Sequence, residues 1–240
     1  MIVNQQGKPY SKRDGDAYVG DFRAKGYTSD ALFNYLCLLG WSPGHDKEKM
    51  AREEIVSLFT LDRVKNGPAQ MDLKKLTHLN WEYVCELTPE SFLVLVKEWL
   101  KDRAWMNNAP EELLKKACTL MQSRTNTLAD TGQWHYFFVE SVEYSDNDAV
   151  KLLARDGISS ILSALAMKLE KSPFTLENIE KAIRETEKEF TMQEGKLNQP
   201  ARAAITGITR GAGLYETMEI IGREKCLKRL KNAADRFMKK

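Results

Sequence analysis

At 240 residues, with 42% apolar and 29% charged side chains, the sequence is long enough to bury a core and too apolar for a disordered chain. The net charge of +2 hides an asymmetry: residues 196–240 carry eleven Lys/Arg against four Asp/Glu, whereas residues 1–195 carry twenty-five against thirty. The basic end suits a polyanionic partner, with a solvated basic helix as the plain alternative. No apolar run approaches the ~20 residues of a membrane span, no signal peptide opens the chain, and the scattered Cys37, Cys85, Cys118 and Cys226 and His45, His78 and His135 show no disulfide or zinc spacing. A cytoplasmic chain with reduced thiols and no metal is therefore expected.

In chain order, residues 1–20 are polar and glycine-punctuated, with Ile2-Val3 and Ala17-Tyr18-Val19 as brief extended pieces. Thr28 or Ser29 caps a helix through Leu32, Leu36 and Leu39 that Gly40 terminates. A short helix over 50–59 turns Ile55, Leu58 and Phe59 inward. Asp72 caps a helix with Leu73, Leu76, Leu79 and Tyr83 on its apolar face, ending near Glu86, and Thr88-Pro89 is a cap followed by proline at the first helical position. Pro110 opens a helix carrying Leu113, Leu114, Ala117, Leu120 and Met121, and another follows near 133–139.

Ser145-Asp146-Asn147-Asp148 has the form of a capping box, starting a helix that Gly157 stops. The pattern resumes through Ile161, Leu165 and Leu169. Thr175 caps a helix with the stripe Leu176, Ile179, Ile183 and Phe190. Gln199-Pro200 begins a short helix ending at Gly207, a loop runs to Gly213, and two last helices span about 214–221 and 223–238. Nothing after residue 20 reads as a strand, so the fold class is mainly α.

Two stretches carry chemistry. Gly7 to Gly15 contains Ser11-Lys12-Arg13, two cations between glycines of the kind that fold over a polyphosphate, and leads into Asp21-Phe22-Arg23, Gly26-Tyr27 and Ala31 to Trp41. Near the other end stand Gln199-Pro200-Ala201-Arg202-Ala203-Ala204-Ile205-Thr206-Gly207 and Gly213-Leu214-Tyr215-Glu216-Thr217. Together with Asp72-Leu73-Lys74-Lys75-Leu76 and Leu79-Asn80, this order resembles the bacterial-type glutamyl-tRNA synthetases, whose second signature is Q-P-x-R-x-A-[IL]-T-G.

The resemblance implies a stem-contact helical domain followed by an α-helical anticodon-binding cage. It divides the chain at 1–20 (the Ser-Lys-Arg loop and the edge of a catalytic domain), 21–87 (stem contact), 88–142 and 143–240 (anticodon binding). It implies ATP, with Mg, as cosubstrate of a complete ATP-dependent glutamate–tRNA ligase, with Ser11, Lys12 and Arg13 at the ATP phosphates. The family usually shows K-[LM]-S-K-R, whereas Pro9 stands here at the first lysine and Lys8 one position early, so the role carries to Lys12. The family's His-x-Gly-His-type motif does not occur in these 240 residues, so the chain is expected to be the C-terminal half, inactive alone.

For the anticodon the resemblance points to Gln122, Arg124, Arg202, Thr206, Gly207 and Thr209, residue types that read unstacked base edges. A Gln at position 122, rather than an Arg, is compatible with tRNA(Gln) as well as tRNA(Glu). A monomer is expected. The alternative from another class is a stand-alone helical module that binds RNA or protein without ligase activity.

Overall fold

A computed structural model describes residues 1–238 except 5, 14 and 16, so Asp14 of the loop and Lys239 and Lys240 of the basic segment lie outside the described residues. The chain divides into two compact units, residues 1–102 with 122–132, and residues 103–121 with 133–240.

The first unit holds strands β1 (Ile2–Val3) and β2 (Ala69–Gln70) and helices α1 (Val19–Ala24), α2 (Ser29–Gly40), α3 (Arg52–Leu58), α4 (Leu73–Glu86) and α5 (Pro89–Leu100). The strands pair in parallel, Ile2 with Ala69 and Val3 with Gln70. The caps follow the local chemistry: the Asp72 side chain accepts from the amides of Lys74 and Lys75, and Thr88 accepts from Ser91 with Pro89 at the first position. Phe22, Leu32, Tyr35, Met71, Leu76 and Leu79 form one core cluster, and Trp41, Met50 and Ile55 a second.

Two buried asparagines fasten these helices. The Asn80 carboxamide accepts from the amide of Thr28 at 2.8 Å and donates to the carbonyl of Asn126 at 2.5 Å. Asn34 accepts from the Met50 amide at 3.0 Å and the Tyr83 hydroxyl at 2.9 Å, and donates to the Glu48 carbonyl at 3.0 Å. Each is fully buried, so each must be paired, and each pairing ties elements that are remote in sequence. Gly26 sits at φ +79°, and a Cβ there would stand 2.5 Å from the amide nitrogen of Ala129.

The second unit is helical: α6 (Glu111–Met121), α7 (Asn147–Leu153), α8 (Ile158–Lys171), α9 (Leu176–Glu189), α10 (Asn198–Thr206), α11 (Leu214–Ile221) and α12 (Arg223–Arg236). Helix α12 packs along α8, with Leu165, Leu169, Ile183, Ile205 and Leu230 fully buried in the unit.

Six sequence expectations change. Val19 opens α1 rather than extending a strand, and Ala69–Gln70 is a strand with no β pattern of its own. Phe59 follows the end of α3 and is 47% exposed. Residues 128–137 form a 3₁₀ run in place of an α-helix over 133–139. Helix α7 ends at Leu153 and Gly157, at φ +79°, turns the chain into α8 instead of stopping α7. Leu176, in the first position of α9, is exposed, and Ala182 completes the buried stripe with Ile179 and Ile183.

Candidate nucleic-acid interface

In the second unit the stretch 142–146 lies along α10 and the loop after it, and three of its residues meet that helix and loop. Gly207, the C-cap of α10 at φ +79°, comes so close to the Glu143 carbonyl that a Cβ would lie 2.3 Å from that oxygen. The Tyr144 hydroxyl donates to the Ala204 carbonyl at 3.0 Å. One carboxylate oxygen of Asp146 accepts from the Thr209 amide at 3.1 Å and the Thr209 hydroxyl at 3.2 Å, while the other caps α7 through the Asp148 amide at 2.9 Å. These bonds, led by that of Asp148, hold the Asp146 carboxyl below the usual aspartate range.

Underneath, Arg229 of α12 is buried among backbone oxygens. Its guanidinium donates to the carbonyls of Ile205 at 2.8 Å, Val139, and Glu140 at 3.4 Å. Ile205 is in the last turn of α10, where the helix dipole favours a cation. Burial pulls the Arg229 guanidinium below its usual range, yet it remains a cation at neutral pH.

The candidate residues fall in different environments. Arg202, half-buried on α10, lies against Gly211, and its charge opposes the burial that pushes Tyr136 up to about 12. The Thr206 hydroxyl is buried, donating back to the Arg202 carbonyl at 2.8 Å and accepting from the Ile208 amide at 3.3 Å. Arg202, Thr206, Gly207 and Thr209 are thus brought together on one helix end and its loop. Arg210, next to Thr209, is exposed and forms no ion pair among the described residues.

Gln122 and Arg124 belong to the first unit. The Gln122 amide donates to the carbonyls of Val84 at 2.8 Å and Leu87 at 2.9 Å at the end of α4, where the Val84 carbonyl also accepts from the Leu87 amide at 3.3 Å. Arg124 is exposed. In the same unit Ser11, Lys12 and Arg13 are exposed, with the Lys12 ammonium 4.4 Å from the centre of the Tyr18 ring. A concavity of about 610 Å³ in this unit is lined by Asn4, Gln6, Tyr10, Gln70, Asp72 and Lys74, of which Tyr10 immediately precedes Ser11 in the chain. Among the described residues no group of three or more His, Cys, Asp or Glu could hold a metal ion.

Sequence reasoning missed Asp146 and Arg229 as holders of the loop. Asp146 stood inside a capping-box pattern that begins at Ser145, yet it is the cap of α7, and its other partner is 63 residues away. Arg229 was one cation of a basic segment, and only packing shows that it points inward.

Comparison with known proteins places this geometry. The family described as "Anticodon binding domain" matches residues 91–234, which include the 142–146 stretch, α10, its loop and α12 up to Ala234. The family described as "tRNA synthetases class I (E and Q), catalytic domain" matches residues 1–78. A glutamate–tRNA ligase of Desulforudis audaxviator is 35% identical over 97% of this chain and 48% of its own length, and that of Bacillus subtilis is 32% identical over 97% and 50%. A crystal structure of a glutamate tRNA ligase from Elizabethkingia meningosepticum, in complex with its amino acid, superposes with a TM-score of 0.82 at 25% identity, covering 99% of this chain and 51% of that one. The chain spans about half the length of the relatives it matches. It belongs to the anticodon binding domain family, and it is homologous to about half of a glutamate–tRNA ligase.

Proposed function

We propose that this chain is the tRNA-binding portion of an ATP-dependent glutamate–tRNA ligase, with tRNA(Glu) as its partner in the cytoplasm. The observation that carries the reading is the match of the anticodon-binding family to the residues that build the seam between 142–146 and the loop after α10. A loop fixed by Asp146 and Gly207 and undercut by a buried cation is preorganised, so little ordering entropy is lost when a base docks. Arg202 and Thr209 would then meet unstacked bases or adjoining phosphates, whereas Thr206 and Gly207 would act by shaping the loop. Residues 21–87 would lie along the inner stem of the tRNA and residues 88–240 about the anticodon, with Arg124 as an exposed cation toward the RNA.

In the complete ligase, Lys12 and Arg13 would stabilise charge on the ATP phosphates, with Mg, as the glutamate carboxylate attacks the α-phosphate and pyrophosphate leaves. Ser11 would position that loop. The test is fluorescence anisotropy of the monomeric chain with tRNA(Glu), with an anticodon stem-loop as competitor and tRNA(Gln) as a second ligand. Competition by the cognate stem-loop that weakens when its anticodon is changed is the expected result. Equal binding to any hairpin sinks the reading.

A further inference from the structure

At the C-terminal end of α12, beside the seam, three side chains form a cation–aromatic cluster. The Arg236 guanidinium carbon lies 5.3 Å from the centre of the Tyr144 ring and 5.8 Å from that of Phe237, and the two rings meet edge to face at 5.4 Å and 80°. Tyr144 is held from below by its hydroxyl bond to the Ala204 carbonyl at 3.0 Å, on the helix that carries Arg202 and Thr206. It is two residues from Asp146, which holds Thr209. The cluster therefore hangs from the same backbone stretch as the loop assigned to the anticodon. Arg236 is exposed and in no ion pair among the described residues, and Phe237 is half-buried.

A guanidinium steadied on two rings presents a flat cationic surface, and RNA-binding proteins stack unstacked bases on such surfaces and on aromatic faces with little regard to sequence. We propose that Tyr144, Arg236 and Phe237 form a stacking shelf for a nucleotide of the anticodon loop that flanks the bases read at the loop after α10. The proposal rests on the anticodon reading above and adds a subsite to it. The shelf contributes affinity by stacking, and its neighbour contributes selectivity by hydrogen bonding.

The test measures binding of an anticodon stem-loop RNA of tRNA(Glu) to the full chain and to Arg236→Ala, Arg236→Lys and Phe237→Leu variants. The same measurements are made with RNAs bearing one abasic site at each loop position in turn. Arg236→Ala and Phe237→Leu should each weaken the intact loop about tenfold. With the abasic site at the stacked position the variant and the unaltered protein should bind alike, because the group that each variant fails to stack is gone. Arg236→Lys keeps the charge but not the plane, so it should retain the salt dependence and still lose affinity for the intact loop. Phe237→Leu preserves apolar packing, and unchanged thermal unfolding separates a lost stack from a lost fold. Variants that bind the intact loop like the unaltered protein, or whose loss is the same with every abasic RNA, overturn the shelf alone. Absence of binding by the unaltered protein overturns the anticodon reading and the shelf with it.

Discussion

The guanidinium of Arg229 and the carbonyl of Ile205 meet at 2.8 Å inside the protein, joining the middle of α12 to the last turn of α10. Arg229 is 1% exposed, and its hydrogen-bond partners are backbone oxygens rather than a carboxylate. A cation so placed replaces water for three carbonyls at once. Arg229→Ala should therefore cost several kcal/mol, at about 1–3 kcal/mol for each buried carbonyl left without its donor. Arg229→Lys should recover part of this, since one ammonium cannot span three acceptors in the guanidinium plane. Urea unfolding of the three proteins checks the order, and an alanine variant as stable as the parent contradicts it.

Gly207→Ala should be destabilising beyond the ~1–2 kcal/mol of a left-handed residue with a Cβ. The added carbon would stand 2.3 Å from the Glu143 carbonyl, and that neighbour is backbone that cannot swing aside. The seam would have to open, so tRNA affinity should fall together with the midpoint of unfolding. A variant with normal stability and weakened RNA binding would instead assign Gly207 a direct contact.

Local chemistry was legible in the sequence and distant partnership was not. Asp72, Thr88 and Thr175 were readable as caps because each accepts from an amide two or three residues on, whereas the capping-box pattern 145–148 begins at Ser145 and the structure caps α7 one residue later, at Asp146. Gly207 was readable as a helix stop, but its contact with Glu143 was not, because that contact spans the fold. The 3₁₀ run over 128–137 escaped the helical period because Asp130 draws the amides of Asn126 and Thr127 into a local turn just before it. The resemblance singled out residues at the end of α10 and in the loop after it, but only the structure separates the inward Thr206 hydroxyl from the exposed Arg210.

Asp146→Asn isolates one half of a carboxylate. Asn caps a helix as well as Asp, so α7 keeps its cap, but the amide nitrogen turned toward Thr209 meets two donors in place of an acceptor. The parent should be the more stable by about 1 kcal/mol near neutrality, an amount kept small by solvent around the carboxylate. Because the folded carboxyl is depressed, this advantage is fully present above the unfolded value of about 3.9 and is lost as pH falls through the lower folded value. Unfolding of both proteins from pH 7 to pH 2 checks the sign. An advantage that grows on acidification would refute the assignment.

Gln122 offers a clean separation of roles. Its amide donates to Val84 and Leu87, and since the Val84 carbonyl also accepts from the Leu87 amide at 3.3 Å, Gln122→Ala should cost about 1–2 kcal/mol of stability through the unfilled Leu87 carbonyl, whether or not RNA is present. Gln122→Glu should cost more, since a carboxylate would face the same two oxygens. If both variants unfold like the parent while tRNA binding changes, the side chain reads RNA and its bonds to α4 are incidental.

The last prediction concerns salt, where net charge and geometry disagree. Eleven Lys/Arg in residues 196–240 suggest a steep dependence, but several of them are already occupied. Lys225 and Lys228 face Glu140 at 3.4 and 3.9 Å, Lys231 faces Glu170 at 3.3 Å, and Arg229 is buried. A phosphate approaching those lysines must displace a carboxylate, which offsets the counterion release that drives the dependence. Arg210 and Arg236 are exposed and carry no such partner among the described residues. Each of Arg210→Gln and Arg236→Gln should therefore reduce the slope of log K against log salt by about 0.7, the value for one phosphate of a single strand. Lys225→Gln with Lys228→Gln should change it by less than one such step. Anisotropy titrations of the anticodon stem-loop across a series of salt concentrations measure all three slopes. A slope that survives loss of both arginines and collapses with the paired lysines would mean that the RNA lies across Glu140 rather than along the loop after α10.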